Sequence, residues 1–265
     1  MPEYHDITVE DFGAIVRISH NRPEARNAES QRLLEELDDA VTRAGADENV
    51  RVVVLAGKGA HFSAGHDLKE AEAKRSNFTV EARWDYEVSH YFDYALKIWD
   101  LPKPVIAQVQ GACVAGAFMV ANMCDLMVAS EDAFFADPVC HSLGTAGVEI
   151  LVHPWALGLR AAKDMLYTGR RLSAKEGFDM GMVNRLVPRE ELENATMALA
   201  EQVARAAPFA IKLMKRSLNR SFDIQGFRTS LQAHFDTHQL SHNSAEFRRL
   251  RDGGLGNAIA RGKQV

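Results

Sequence analysis

Cysteine is scarce. Cys113, Cys124 and Cys140 are the only three, at spacings of 11 and 16, and no C-x-x-C pair occurs. An odd, scattered set excludes a disulfide framework and fits a reducing compartment. Long apolar runs are also missing: the longest, Ala112 to Ala121, covers about half a bilayer, and the N-terminus shows neither a basic nor an apolar leader pattern. The expectation is a soluble, cytoplasmic protein with no membrane span. Basic residues are outnumbered, 31 against 36 acidic, for a net charge of −5. That balance argues against nucleic acid as a partner, yet leaves room for a local basic rim around an anionic ligand. G-x-G-x-x-G, a phosphate loop ending in Gly-Lys-Ser/Thr and G-x-S-x-G are all absent. Dinucleotide, nucleoside-triphosphate and α/β-hydrolase readings lose their main support.

What remains is an ordinary globular composition of 265 residues, 46% apolar and 25% charged, enough for one large domain or two small ones. Strands are expected at residues 14–18, 51–56, 105–109 and 126–129, the second a near-continuous β-branched run suited to burial on both faces. Leu33, Leu34, Leu37, Val41 and Ala44 recur at helical spacing, with Asn27 and Ser30 as candidate caps. A mixed-polarity helix is expected over residues 78–99, ended by Pro102 and Pro104. Beyond residue 159 the pattern turns helical, with a capping box at Ser173 and Glu176, a short β segment at 183–188, and helices over 190–206, 208–219 and 224–240. Strands alternating with helices give an α/β fold.

Two segments place glycine and small residues directly after a buried strand: Gly57 to Asp67, and Gln110 to Ala117. Small residues let a ligand approach the main chain, and N–H groups at a helix start can hold a developing oxyanion. With these turns, Asn21-Arg22-Pro23-Glu24-Ala25-Arg26-Asn27-Ala28, Val52 through Asp67, Lys103 to Gly111, Met123-Cys124-Asp125 and Thr168 to Glu176 resemble the ordered motifs of the crotonase (enoyl-CoA hydratase/isomerase) superfamily. The resemblance implies a spiral of ββα units over residues 1–190. It also implies a C-terminal helical trimerisation region over 191–265, and assembly as homotrimers or hexamers. It further implies an acyl-CoA thioester as ligand, with coenzyme A part of the substrate and no separate cofactor. By the same resemblance the backbone N–H groups of His66 and Gly116 form the oxyanion hole. Arg22, Arg26, Ser63, Ala64 and Asp67 fall in the region that receives the substrate.

Two positions depart from the hydratases of that superfamily. Where the resemblance places two water-activating glutamates, this chain has Met119 and Val139, or Cys140 if the slightly longer 138–144 segment shifts the second. None of these side chains is the acid or base that hydration needs near neutral pH. Glu149 is the first candidate for a replacement, with Asp137 and His141 next. The expected function is therefore that of an enoyl-CoA hydratase/isomerase-like protein that stabilises a thioester enolate without being an ordinary hydratase. The alternative is a non-catalytic acyl-CoA binding or regulatory protein. His234, His238 and His242 share one helical face, but no H-E-x-x-H or carboxylate partner is visible, so a solvated or interfacial face is expected and no metal site. Of Phe78, Trp84, Tyr86, Tyr91, Phe92, Tyr94 and Trp99, most are expected in the core, with some free to line an acyl pocket.

Overall fold

Alternate residues of the central strands serve opposite cores in the computed structural model, which describes residues 3–254 and 256–262. The strands are β1 (Ile7–Asp11), β2 (Ile15–His20), β3 (Val52–Gly57), β4 (Val105–Val109), β5 (Ala112–Val114), β6 (Leu126–Ser130), β7 (Phe134–Ala136), β8 (Leu172–Ser173) and β9 (Arg185–Val187). β1, β2, β3, β4, β6 and β9 form a six-stranded sheet in that order, parallel except for the β1–β2 hairpin; β5, β7 and β8 form a smaller sheet. Val53 and Leu55 point to one core and Val52 and Val54 to another, as the two-residue period of a strand covered on both faces requires. Since β4 leads through Gly111 into β5, and β6 leads into β7, successive turns of the chain feed one strand to each sheet. This is the α/β spiral expected from the sequence.

The helices are α1 (Gln31–Ala46), α2 (Leu68–Arg75), α3 (Val80–Glu87), α4 (Asp93–Asp100), α5 (Gly116–Met123), α6 (Val139–Leu143), α7 (His153–Leu157), α8 (Leu159–Thr168), α9 (Ala174–Asp179), α10 (Leu192–Ala204), α11 (Pro208–Ile224), α12 (Phe227–Ser241), α13 (Ala245–Asp252) and α14 (Gly256–Gly262). Ser30 caps α1 by accepting from Leu33 N at 3.2 Å. Asn27 does not cap: at φ 53° its amide instead donates to the carbonyls of Lys58, His61 and Phe62. The Ser173–Glu176 capping box opens α9 as expected.

Two expectations need correction. The helix over 78–99 is interrupted at Val88–Phe92 by a π-helical turn, which turns Tyr91 inward. The last long helix starts at Phe227, because Gly226 at φ 106° ends the preceding one. Leu192, Leu199 and Ala200 of α10 close the outer face of the large sheet against Ile15, Val52, Val54, Ile106 and Val128. α12 lies instead over the segment that follows α6, and this places the site.

Candidate active site

The two glycine-rich turns lie side by side. Ser63 pairs with Cys113, donating its N–H to Ala112 O at 3.0 Å and accepting from Val114 N at 3.2 Å. Its hydroxyl is buried, donating to Asn27 O at 2.7 Å and accepting from Gly65 N at 3.1 Å. Gly65 takes φ +79°, and a Cβ there would stand 2.6 Å from Val114 O, so glycine alone permits the close approach. At the next residue, Glu29 exchanges backbone bonds with Gly65 O and Asp67 N, at 2.9 and 3.1 Å. In such a bridge the N–H of His66 faces away from Glu29.

Gly116 opens α5, where its N–H has no carbonyl partner within the helix. Ala115 before it adopts φ 50°, ψ −119°, a conformation that stores strain in a residue with a side chain. A Cβ on Gly116 would lie 2.3 Å from His66 Cε1 and 2.8 Å from Glu29 Oε2, so the His66 imidazole and the Glu29 carboxylate pack directly against Gly116. The His66 imidazole packs on Tyr91 at a tilt of 42°, with centroids 4.0 Å apart. Its Nδ1 lies 3.2 Å from the buried Glu29 carboxylate without making a hydrogen bond to it.

A cavity of about 100 Å³ opens beside His66, lined among others by Tyr86, Tyr91, Val139, Thr145 and Glu149. Glu149 is only 1% exposed, and its Oε1 has no hydrogen-bond partner among the described residues. Burial, and then the charge of Asp137, push its carboxyl well above the usual range. Gly147 makes the space, since a Cβ there would fall 2.7 Å from the Glu149 carboxyl. The loop is pinned from α12: His234 Nε2 bonds to Gly147 O at 2.7 Å, His238 Nδ1 to Ala146 O at 2.8 Å, and Ala146 N donates to Ser241 Oγ at 3.2 Å.

The other candidates separate. Asp137 is buried outside the cavity lining, with Oδ2 3.0 Å from Nε2 of His153, whose ring stacks on Phe118. His141 faces outward, bonding to Tyr167 O at 2.9 Å, and Cys140 is exposed. The short α6 helix turns Val139 inward and these two away, so neither joins Glu149. Met119 lies in the core. Arg22 is held by Ala28 O at 2.6 Å and Asp67 Oδ2 at 3.0 Å, while Asp67 also caps α2 through Glu70 N. These two thus brace the loop. Arg26 is exposed, and its carbonyl accepts from Ala64 N.

The histidine face of α12 is buried, contrary to the expectation of a solvated or interfacial one, because α12 packs on the Glu149 loop and α3. Glu87 supplies the carboxylate that the sequence did not show. With His238 and His242 it brings three ligand-type atoms within 4.8 Å. Glu87 is already engaged, accepting from His238 Nε2 at 2.6 Å and Gln239 Nε2 at 2.7 Å, with Arg83 at 3.5 Å. A cation there would have to displace these donors beside a guanidinium, so the set is better suited to an ion-pair network. Burial opposes ionisation of Glu87, but His238, His242 and Arg83 outweigh it and lower its pKa to about 2.

Glu29 and Glu87 were missed. Each is a single carboxylate brought to histidines from a distant segment, and no local spacing announces that. The helical face of His234, His238 and His242 was the one visible signal.

The family model described as Enoyl-CoA hydratase/isomerase matches residues 10–255. The curated relative EchA13 of Mycobacterium tuberculosis is 39% identical over 257 residues, 91% of this chain and 81% of the relative. An enoyl-CoA hydratase/isomerase from Xanthobacter autotrophicus Py2 superposes with TM-score 0.90 at 34% identity, covering 99% of this chain and 98% of that one. A probable enoyl-CoA hydratase from Mycobacterium smegmatis gives 0.84 at 46% identity, covering 89% and 94%.

Proposed function

The chain belongs to the enoyl-CoA hydratase/isomerase family, and we propose that it binds an acyl-CoA thioester and shifts a double bond within the acyl group rather than adding water to it. The observation that carries the reading is Glu149, a buried and hydrogen-bond-poor carboxyl in the cavity beside His66. At the positions assigned to water activation stand Met119, in the core, and Val139, in the cavity wall.

The thioester oxygen sits between the N–H groups of His66 and Gly116. The Glu149 carboxylate takes a proton from one carbon of the allylic unit. The C–H electron pair moves onto the thioester as an enolate, whose charge the two N–H groups hold. Glu149 then returns the proton two carbons along, so no water, oxidant or separate cofactor enters. A fixed donor at such an oxyanion lowers the barrier by about 3–4 kcal/mol, and a positioned base contributes roughly 10²–10⁴-fold. Arg26, exposed in the turn before α1, serves the anionic end of coenzyme A. Met214, Leu218 and Phe222, exposed at i, i+4 and i+8 on one face of α11, form the contact through which copies of the chain assemble.

The test is a panel of 2-enoyl- and 3-enoyl-CoA thioesters offered to the wild type and Glu149→Gln. Interconversion of the two series that is lost in the variant supports the reading. Binding of the thioesters without turnover by the wild type favours the non-catalytic alternative.

A further inference from the structure

The inner cavity wall carries more positive charge than an alkyl chain would need. Arg75 is only 6% exposed and ends α2. It donates to the Tyr86 hydroxyl at 2.6 Å and lies 4.6 Å from the centre of the Tyr86 ring. Glu70, its nearest carboxylate, stays 3.7 Å away and already accepts from Lys74 at 2.8 Å and from Gln31 N at 2.8 Å. Arg83 likewise reaches Glu87 only at 3.5 Å, and that carboxylate is taken by His238 and Gln239. Shorter pairs occur elsewhere: Arg17 meets Glu193 at 2.7 Å, Arg170 meets Asp164 at 2.6 Å and Arg228 meets Asp100 at 2.6 Å. Both cavity guanidiniums are thus partly or largely buried and paired with a carboxylate only at long range, 3.7 Å for Arg75 and 3.5 Å for Arg83. Among the described residues neither makes a hydrogen bond to its carboxylate, which leaves N–H donors suited to an incoming anion.

Resting on the acyl-CoA reading above, we infer that Arg75 and Arg83 form an anion subsite in the acyl pocket, and that the preferred substrates are short acyl-CoA thioesters whose chain ends in a carboxylate. The path from the thioester to this subsite is aromatic: His66 packs at a tilt on Tyr91, Tyr91 meets Tyr86 edge-on at 5.9 Å, and Tyr86 carries Arg75. Such a wall accommodates a methylene chain, and the planar guanidinium presents paired donors that match a carboxylate. Val139 and Val148 supply the apolar side of the pocket.

The experiment is calorimetric binding of saturated, unreactive thioesters to the full chain in matched pairs: succinyl- against butyryl-CoA, glutaryl- against pentanoyl-CoA, and adipyl- against hexanoyl-CoA. Wild type is expected to favour the carboxylated member of at least one pair by about ten-fold or more at low salt. The preference should fall toward unity in Arg75→Met and in Arg83→Met, and Arg75→Lys should retain part of it. Melting curves of each variant establish that it is folded, and Arg83→Met keeps the test open if Arg75→Met does not fold. Equal affinity within every pair in the wild type, or a preference that survives in both Met variants, overturns the inference and leaves the acyl-CoA reading standing. No binding of either member of any pair overturns both.

Discussion

Glu149 holds its proton to higher pH than a surface carboxylate would, and two consequences follow. As a base it must be ionised, so kcat/KM should rise with pH through its elevated pKa, well above the ordinary 4.5. Glu149→Gln should remove that limb and lower kcat/KM by roughly 10²-fold or more; a pH–rate profile checks both. Stability runs the opposite way. Because the folded pKa exceeds the unfolded one, the folded state binds the extra proton, and stability falls as pH rises from about 4.5 toward the folded value. Urea titrations should show this decline in wild type and a flatter curve in Glu149→Gln. Gly116 acts by having no side chain: in Gly116→Ala the new methyl would press on the His66 ring and Glu29. Thioester turnover should drop by about 10²-fold. Little of this was legible in advance. Glu149 stood out by its distance from the missing glutamate, but its burial is created by Gly147 and by a helix almost a hundred residues away.

The element that makes the site is α12. His234 and His238 hold the carbonyls of Gly147 and Ala146, and Glu87 on α3 holds His238 from the other side. Helix, loop and cavity wall thus form one network. Glu87 ionises with a folded pKa of about 2 against an ordinary 4.5, so its contribution of about 3 kcal/mol is present above pH 4.5 and lost as pH falls toward 2. Glu87→Gln should flatten the acid limb of the stability curve in that window, as followed by circular dichroism. His234→Ala should lower kcat more than it raises KM, because it frees the loop carrying Glu149 without removing a binding group. Hydrogen exchange at residues 144–150 should quicken in step. The sequence showed the i, i+4 spacing of these histidines, but it also suggested water on that face. Spacing defines a face, and only packing decides what the face meets.

At the scale of the whole molecule, the order of strands and helices was readable because each central strand is buried on both sides and each turn is marked by glycine or proline. The placement of α10 was not readable, since an amphipathic helix after a short strand fits either the sheet or a neighbouring subunit. Its apolar stripe turned out to match the outer sheet face. α11 differs in keeping Met214, Leu218 and Phe222 exposed on one face. A copy of the same chain would cover that stripe, so light scattering should report a trimer or hexamer, and Leu218→Glu should shift it toward monomer. The central claim concerns chemistry: the proposed double-bond shift without hydration rests on Glu149, buried in the cavity, and on Met119 and Val139 at the two positions where the hydratases of the resemblance carry glutamates. The most direct measurement is mass spectrometry of a 3-enoyl-CoA incubated with the enzyme in ¹⁸O-labelled water. A 2-enoyl-CoA of unchanged oxygen content is the predicted product; rapid accumulation of an ¹⁸O-labelled 3-hydroxyacyl-CoA would contradict the claim.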